Sequence, residues 1–384
     1  MPIRHVEPCP VLWSANRTGN DARNEAVSVN DERFLFVGTY TDLGAEGIYT
    51  CRLNVATGAV ECIDVQPGIV NPTFVAIDPT GDHLYAASEQ ESGHGVVTAY
   101  AINGNGALTV LNSAHTGGAG PCHVQVDQTD SYVVVANYFG GSVCLLPIKP
   151  DGSLGTRTDF VQHHGSSVHP ERQRQAHAHC VVIDGANTLV YACDLGMDAI
   201  VVYRIDHATG RLIEQPDLAV RAEPGDGPRH FTFNPASAHA YAVNELGSSV
   251  SAYDYEAATG TLTVKQRIST LPAAWSGDTT CADIHASPDG RFVYASNRGH
   301  NSIAAFAVES GTGRLTPVGH TPTRGDIPRN FLITPDGRFL LAANQNSDTI
   351  VTFRVDAASG GLEFTGHEAA VPAPVCLKLA PLRE

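Results

Sequence analysis

The stretch of sequence that decides the fold is PRHFTFNPASAHAYAVNELGSSVSAY, residues 228–253. Apolar and polar residues alternate in short runs such as HFTFN and AYAVN, and small residues or proline separate the runs. A period of two is typical of β-strands that bury one face, and no helical spacing of useful length occurs between the turns. We therefore predict short consecutive antiparallel strands.

The same pattern recurs as an internal repeat. Each copy contains a turn with a glycine, followed two residues later by an apolar position, and these glycines are Gly58, Gly106, Gly152, Gly210, Gly260, Gly313 and Gly360. Successive intervals are 48, 46, 58, 50, 53 and 47 residues. A period near 50 residues is typical of an all-β propeller in which each repeat forms one four-stranded antiparallel blade.

The two ends of the chain are expected to share one blade. Residues 34–40 look like a second strand with no first strand before it, whereas residues 374–381 have the Pro-to-Pro spacing of an inner strand with no second strand after it. Pairing the two closes the ring and removes exposed sheet edges. We predict a seven-bladed β-propeller, residues 33–384, as a single domain after a flexible N-terminal extension, residues 1–32.

Composition narrows the class of protein. The chain has 384 residues, of which 42% are hydrophobic and 17% charged, as in globular proteins rather than disordered ones. A net charge of −16 argues against a nucleic-acid partner, and no run approaches the roughly 20 apolar residues of a membrane helix. Of the 24 basic residues 21 are Arg, the side chain suited to forked recognition of carboxylate or phosphate.

The nine cysteines are scattered, odd in number and never in a C-x-x-C pair. This pattern favours reduced, buried thiols over a disulfide framework or a zinc site. The first 30 residues carry several charges and no apolar run, so we see neither a signal peptide nor an anchor. The expected location is the cytoplasm.

Two positions of the repeat carry the candidate chemistry. They are the second residue of the inner strand and the residue sixteen further on, just past the next strand. In an antiparallel hairpin these positions lie at one edge, so both should face one end of the propeller near its axis. Ordinary structural positions would hold similar residues in every copy, but these hold His179, Arg229, Glu245, Arg298 and Arg329, with Glu89 and Tyr138.

A base, a carboxylate and several guanidiniums at one opening indicate a site for an anionic substrate that needs proton transfer. For a single pair such as Arg229 and Glu245, an exposed ion pair at a blade edge remains the alternative. Asp283 and His285 lie two residues apart on an inner strand, and their side chains could reach the central channel or bond neighbouring backbone.

The longest connection between blades, residues 156–176, contains His163, His164 and His169. Their spacing fits no usual metal-binding pattern, and the inner strands do not begin with the Asp or Asn residues that a central Ca²⁺ would need. We predict no metal and no cofactor, and interpret the segment as a polar loop over the opening. His177 ranks behind His179 because it falls outside the strand register.

Several segments resemble the seven-bladed lactonase family, among them FLFVGTYT (34–41), GPRHFTFNP (227–235) and ADIHASPDGRFVYASNRGHNSIAAF (282–306). That family contains propeller-type 6-phosphogluconolactonases and fungal carboxy-muconate cycloisomerases, and the match runs from about residue 34 to 381. Resemblance to the cycloisomerase branch of that family implies an active-site set of one His, two Arg and one Glu. These fall on His179, Arg229, Arg298 and Glu245, which the repeat comparison also selects.

The resemblance implies hydrolysis of a small anionic sugar lactone, foremost 6-phosphogluconolactone to 6-phosphogluconate. Arg229 and Arg298 would face the carbonyl oxygen and the phosphate or carboxylate, and either His179 or Glu245 would act as the base. The remaining candidates for substrate binding are Arg329, His285, Asp283, Glu89 and Tyr138.

Two alternatives stay open from the sequence. A carboxy-muconate cycloisomerase would use the same residues, with arginines holding substrate carboxylates. A non-catalytic propeller would serve as a binding platform, since the fold alone says nothing about function. The oligomeric state is left open.

Overall fold

The computed structural model describes residues 32–91, 93, 95–236 and 238–382, and in this part of the chain short strands follow one another throughout. The first strands are β1 (Glu32–Thr39), β2 (Gly47–Asn54), β3 (Val60–Pro67), β4 (Pro72–Ile77), β5 (His83–Ser88), β6 (Val96–Ile102), β7 (Leu108–His115), β8 (Pro121–Val126), β9 (Tyr132–Asn137), β10 (Ser142–Pro147), β11 (Asp159–Gln162), β12 (Ala178–Ile183), β13 (Leu189–Asp194), β14 (Ala199–Asp206) and β15 (Arg211–Glu214). The others are β16 (Val220–Arg221), β17 (Pro228–Phe233), β18 (His239–Asn244), β19 (Ser249–Glu256), β20 (Thr261–Ser269), β21 (Thr280–Ala286), β22 (Phe292–Arg298), β23 (Ser302–Val308), β24 (Leu315–Pro322), β25 (Pro328–Ile333), β26 (Phe339–Asn344), β27 (Thr349–Val355), β28 (Leu362–Ala370) and β29 (Pro374–Leu379).

The helices of the described residues are 3₁₀ turns of three residues, at Thr41–Leu43, Pro216–Leu218 and Gln345–Ser347. None of them could span a membrane.

The strands form seven antiparallel sheets, and the prediction of a seven-bladed propeller is confirmed. Blade 1 has the order β29-β1-β2-β3, and blades 2 to 7 follow along the chain, beginning at β4, β8, β12, β17, β21 and β25. Each blade has four strands, and in blade 4 the short strand β16 also pairs with β14.

The predicted closure by the chain ends is confirmed. Strand β1 pairs with β29 so that Leu35 lies opposite Leu379 and Val37 opposite Leu377. Both edges that the ends would otherwise leave open are thereby hydrogen-bonded. The predicted flexible extension lies, apart from Glu32, outside the described residues.

Neighbouring blades are tied by a recurring hydrogen bond to the repeat glycines. A tyrosine on the second strand of one blade donates to the glycine carbonyl of the next, as Tyr241 does to Gly313 at 3.0 Å. Equivalent bonds join Tyr85 to Gly152, Tyr191 to Gly260 and Tyr294 to Gly360. Gly313 has a φ of 66°, and a Cβ there would lie 2.4 Å from the His239 ring. This position therefore needs glycine for its backbone conformation and for the close approach of the blades.

Each inner strand has a β-bulge near its start. The pairing of β17 with β18 shifts by one residue between Pro228 and His230, which leaves Arg229 as the extra residue. The same shift occurs at the start of the inner strand in the other six blades. A bulge changes the direction of a side chain, and bulges are common next to active sites. The bulge therefore explains why this position of the repeat can carry residues that differ from copy to copy.

Two expectations are corrected by the structure. Cys51 and Cys62 form a disulfide, with 3.8 Å between their Cα atoms, because the register of β2 and β3 places them opposite one another. The prediction of reduced thiols is wrong for this pair, while the other six cysteines among the described residues are buried and form no disulfide. The cytoplasmic location stays a prediction, and the absence of disulfides no longer supports it. In addition, the segment predicted as connection 156–176 begins with a strand, β11.

Candidate active site

Glu245 lies at the centre of a cluster of arginines at the end of the channel where the inner strands begin, which we call the mouth. Its Oε2 atom is 2.9 Å from Arg229 Nε and 2.9 Å from Arg298 Nη2. Its Oε1 atom accepts a hydrogen bond from Arg172 Nη2 at 2.5 Å. The side chains of Glu245 and Arg229 are both 2% exposed, so this is a desolvated cluster and not an ion pair on the surface.

The three guanidiniums determine the protonation state of Glu245. Burial by itself raises the pKa of this carboxyl, but the charges of Arg298, Arg229 and Arg172 outweigh it and hold the pKa well below its ordinary value. Glu245 is therefore ionised at neutral pH and is a very weak base.

His179, the bulged residue of β12, lies beside this cluster. Its Nε2 atom is 4.0 Å from Glu245 Oε2, which is too long for a hydrogen bond. The ring is buried and makes edge-on contacts with Tyr138 and His230, at 5.1 and 5.6 Å between ring centroids. Burial lowers the pKa of His179 well below 6.5, and the charge of Arg229 lowers it further, so the imidazole is neutral at neutral pH.

A second group of side chains adjoins the first. Arg329 donates to the Tyr40 hydroxyl at 2.9 Å, and Tyr40 donates to Glu89 Oε2 at 3.0 Å. Thr73 donates to the same carboxylate oxygen at 2.6 Å. Tyr40, Glu89 and Arg329, together with Phe139, line an open cavity of about 640 Å³. This volume is large enough for a small-molecule ligand.

The cluster around Glu245 carries more positive than negative charge. Three guanidiniums, those of Arg172, Arg229 and Arg298, face the single carboxylate of Glu245. The adjoining cavity, by contrast, is lined by one guanidinium, Arg329, and by the carboxylates of Asp42, Glu89 and Glu91. Burial lowers the pKa of Arg229 to about 10, with Arg298 and Arg329 contributing, so Arg229 stays charged at neutral pH. The two surplus positive charges favour an anionic ligand.

Arg298 also has a donor to spare. Its Nη2 atom donates to the Cys281 carbonyl at 2.7 Å, whereas its Nε atom is buried and has no hydrogen-bond partner within the described part of the chain. A buried donor without a partner is costly, and a ligand oxygen would satisfy it.

The structure brings together most of the residues expected at the site. His179, Arg229, Glu245 and Arg298 form one cluster, which Tyr138 joins because its hydroxyl accepts from Arg172 at 2.9 Å. Arg329 and Glu89 form the adjoining group.

Asp283 and His285 do not reach the mouth. Asp283 is buried and accepts hydrogen bonds from His230 Nδ1 at 2.7 Å and from its own neighbour, the Ile284 N–H, at 2.9 Å, while its second oxygen lies 3.0 Å from His285 Nε2. Both residues line a separate cavity of about 310 Å³ further along the channel, formed by later residues of the inner strands. Asp283 is therefore saturated by protein donors and is not open to a ligand at the mouth.

The histidines of the long connection have structural contacts. His163 is buried between Asp194 Oδ2 at 2.7 Å and the Tyr203 hydroxyl at 2.8 Å. His169 Nδ1 accepts from the backbone N–H of Arg172 at 3.1 Å. His177 donates from Nδ1 to the Tyr138 carbonyl at 2.9 Å. Across the described residues, no group of three or more His, Cys, Asp or Glu side chains is arranged to hold a metal ion.

Sequence reasoning missed three residues of this region. Tyr40 is the counterpart of Glu89 and Glu245 in blade 1, but the sixteen-residue spacing is broken there because the blade joins the two chain ends. Arg172 belongs to a connection that has no counterpart in the other repeats. The surrounding sequence PERQRQ is charged throughout, so it does not indicate which way the Arg172 side chain points. His230 follows Arg229 directly, and without the bulge alternation would have turned it away from its neighbour.

The fold is that of a β-propeller, and the arginine cluster at one end of its channel is the candidate active site. The chain belongs to the seven-bladed β-propeller lactonase family, since the family model described as Lactonase, 7-bladed beta-propeller matches residues 34–379. The prediction of an enzyme that hydrolyses a carboxylic ester, with a small-molecule lactone as substrate, is thereby confirmed.

Relatives with names agree with this assignment. The 6-phosphogluconolactonase of Bacillus subtilis is 38% identical over 298 residues, which cover 77% of this chain and 84% of that protein. The 6-phosphogluconolactonase of Formosa agariphila is 34% identical over 305 residues, covering 78% and 86%. The solved structure of Pseudomonas aeruginosa periplasmic gluconolactonase has a TM-score of 0.86 and 33% identity, and the match covers 91% of this chain and 99% of that one.

Proposed function

We propose that this protein hydrolyses 6-phosphogluconolactone to 6-phosphogluconate. The observation that carries the proposal is the buried carboxylate of Glu245 in contact with three guanidiniums, next to a neutral His179. The positive charge of such a site can stabilise an oxyanion and bind a phosphate. The neutral imidazole of His179 has one unprotonated ring nitrogen and can act as a base.

His179 is the proposed base. A neutral imidazole takes a proton from the attacking water, which adds to the lactone carbonyl carbon, and it returns that proton to the ring oxygen as the C–O bond breaks. Glu245 is the weaker candidate because both of its oxygens face guanidiniums and its pKa is held low. Its proposed task is to hold Arg229, Arg298 and Arg172 in one place.

The guanidiniums stabilise charge that develops in the reaction. When water adds to the carbonyl, the oxygen becomes an oxyanion, and donors already fixed in a desolvated site stabilise it without reorganisation. We assign Arg229 to this oxyanion because it is the most deeply buried of the four, and Arg298, Arg172 and Arg329 to the anionic end of the substrate.

The names of the relatives support a sugar lactone as substrate, but they differ in whether that lactone is phosphorylated. The Bacillus and Formosa proteins are named for the phosphorylated lactone, whereas the Pseudomonas protein is named a gluconolactonase. We propose the phosphorylated substrate here because three guanidiniums surround the single carboxylate of Glu245 and leave a surplus of positive charge there.

The proposal is tested by hydrolysis of 6-phosphogluconolactone above its spontaneous rate, measured with and without a chelator. We expect chelator-resistant activity. We expect Glu245→Gln and Arg298→Ala to reduce kcat/KM about 100-fold or more while the proteins stay folded by circular dichroism, because the first loosens the oxyanion donor Arg229 and the second removes a charge that binds the substrate. Unchanged kcat/KM in both variants would overturn the residue assignment. Conversion of a carboxy-muconate without lactone hydrolysis would replace the proposed reaction by the cycloisomerase alternative.

A further inference from the structure

Beneath the mouth, the residues that come directly after the mouth residues of the inner strands form a second layer around the channel. In blades 5 and 6 these residues are His230 and Asp283, which follow the mouth residues Arg229 and Ala282. His230 Nε2 is 3.2 Å from Arg229 Nη1, and His230 Nδ1 is 2.7 Å from Asp283 Oδ1. A continuous buried chain of contacts thus runs from Asp283 through His230 and Arg229 to Glu245.

The chemistry of these atoms fixes the direction of each bond. A guanidinium nitrogen can only donate, so His230 Nε2 must accept from Arg229 and carry no proton. An ionised carboxylate can only accept, so His230 Nδ1 must hold the proton and donate it to Asp283. Asp283 is fixed in turn by Asn330 Nδ2 and by the Phe331 N–H at 3.2 Å. These bonds select one of the two neutral tautomers of His230.

We propose that His230 and Asp283 are positioning residues for lactone hydrolysis, with Asp283 holding His230 in the Nδ1–H tautomer so that its Nε2 lone pair orients the Arg229 guanidinium toward the reacting carbonyl. This rests on the proposed function in assigning Arg229 to the oxyanion. Burial lowers the pKa of His230 to about 4, and Arg229 lowers it too, so the residue is neutral at the pH where the enzyme is expected to work.

The backbone completes the orientation of Arg229. Its Nη1 atom also donates to the Ala282 carbonyl, which belongs to the mouth layer of blade 6. Arg229 Nε makes an ion-pair contact of 2.9 Å with Glu245 Oε2, and Nη1 is shared between Ala282 and His230, so the guanidinium is held from two sides. Pre-organisation of this kind raises kcat, because a donor misplaced by about 1 Å can cost roughly 100-fold in rate.

The tautomer can be measured without any substrate. In the full-length protein labelled with ¹⁵N-histidine, the resonances of His230 are assigned by their loss in His230→Gln. We expect a protonated Nδ1 and an unprotonated Nε2 at pH 7. An Nε2–H tautomer or an imidazolium at that pH would overturn the proposal whatever the substrate of the enzyme proves to be.

Two substitutions of His230 then separate positioning from packing. The amide of Gln reaches the place of Nε2 and can accept from Arg229, whereas the shorter amide of Asn reaches the place of Nδ1 and keeps only the bond to Asp283. We expect His230→Gln to stay within about fivefold of the wild-type kcat, and His230→Asn to lose about 100-fold with little change in KM. Each variant loses one hydrogen bond, so thermal unfolding should shift similarly in both.

Equal losses of kcat in the two variants would show a merely structural role and contradict the proposal. If the wild-type enzyme does not hydrolyse the lactone, the proposed function fails, while the ¹⁵N measurement still decides the tautomer. The two failures are therefore distinguishable.

Discussion

At the scale of single residues, the site depends on how buried charges are balanced. Glu245 has three guanidinium partners and a lowered pKa, so it organises the arginines, while the neutral His179 beside it is suited to proton transfer. Comparison of the repeats could select these residues from the sequence, because they occupy equivalent positions of the repeat and differ in type from one copy to the next. The division of labour between them could not be predicted, since it depends on Arg172, which approaches from a segment outside the repeat.

Arg172 provides a test at this scale. Its side chain is 37% exposed and donates to both Glu245 and Tyr138, so an anionic substrate can take over its charge. We expect Arg172→Ala to raise KM for 6-phosphogluconolactone about tenfold or more and to change kcat less. Arg174→Ala is the matched control, because Arg174 lies on the same loop, is exposed and donates to the Pro170 carbonyl. An equal KM in the two variants would contradict the assignment of Arg172.

The pH dependence of the rate is a second test. A base must be unprotonated, and the pKa of His179 lies well below 6.5 because of burial and the charge of Arg229. As the pH falls from 7.5 to 6.5, kcat/KM should therefore stay constant, and it should decline only at clearly lower pH as His179 gains a proton. A midpoint at or above pH 6.5 in the wild-type profile would rule out a neutral, buried His179 as the base.

At the scale of elements, the loop after β11 is what carries Arg172 to the mouth. The loop is fastened at its start by His163, which lies between Asp194 and Tyr203, and near its end by Gln173, which donates to the Leu195 carbonyl at 2.9 Å. The strands around it could be predicted from alternation and turn residues. The path of the loop could not, because its anchors are long-range contacts of polar side chains that carry no periodic signal.

The loop anchor can be loosened by Tyr203→Phe, which leaves His163 Nε2 without its donor. Loss of a buried hydrogen bond should cost about 1 to 2 kcal/mol of unfolding free energy and should raise KM as Arg172 becomes less ordered. Tyr241→Phe removes a comparable buried bond, to Gly313 in a neighbouring blade, and should lower stability without altering KM. Denaturant unfolding and steady-state kinetics on both variants decide the matter, and an unchanged KM in Tyr203→Phe would contradict the anchoring role.

At the scale of the whole molecule, ring closure and net charge explain what the sequence could and could not predict. The split blade was predictable because unpaired strand signals remained at both ends of the chain. The Cys51–Cys62 pair was not, because which cysteines face each other depends on strand register. The net charge of −16 describes the surface as a whole, while a ligand beside Glu245 responds to the three guanidiniums that surround this carboxylate.

Removal of β29 tests the closure. A chain ending at Ala373 leaves the edge of β1 unpaired and exposes the residues that Leu377 covers, so we expect a large loss of soluble yield and of cooperative thermal unfolding. A chain ending at Pro381 keeps every residue of β29 and should behave as the wild type. Similar unfolding curves for the two truncated chains would mean that the ring does not depend on this pairing.

We expect the surplus positive charge around Glu245 to select a phosphorylated lactone. The decisive measurement is the ratio of kcat/KM for 6-phosphogluconolactone to kcat/KM for unphosphorylated gluconolactone, on the wild-type protein in one buffer. Because loss of a charged partner in a desolvated site costs about 2 to 5 kcal/mol, we predict a ratio of about 30 or more. A ratio of one or below would show that the arginines do not select the phosphate.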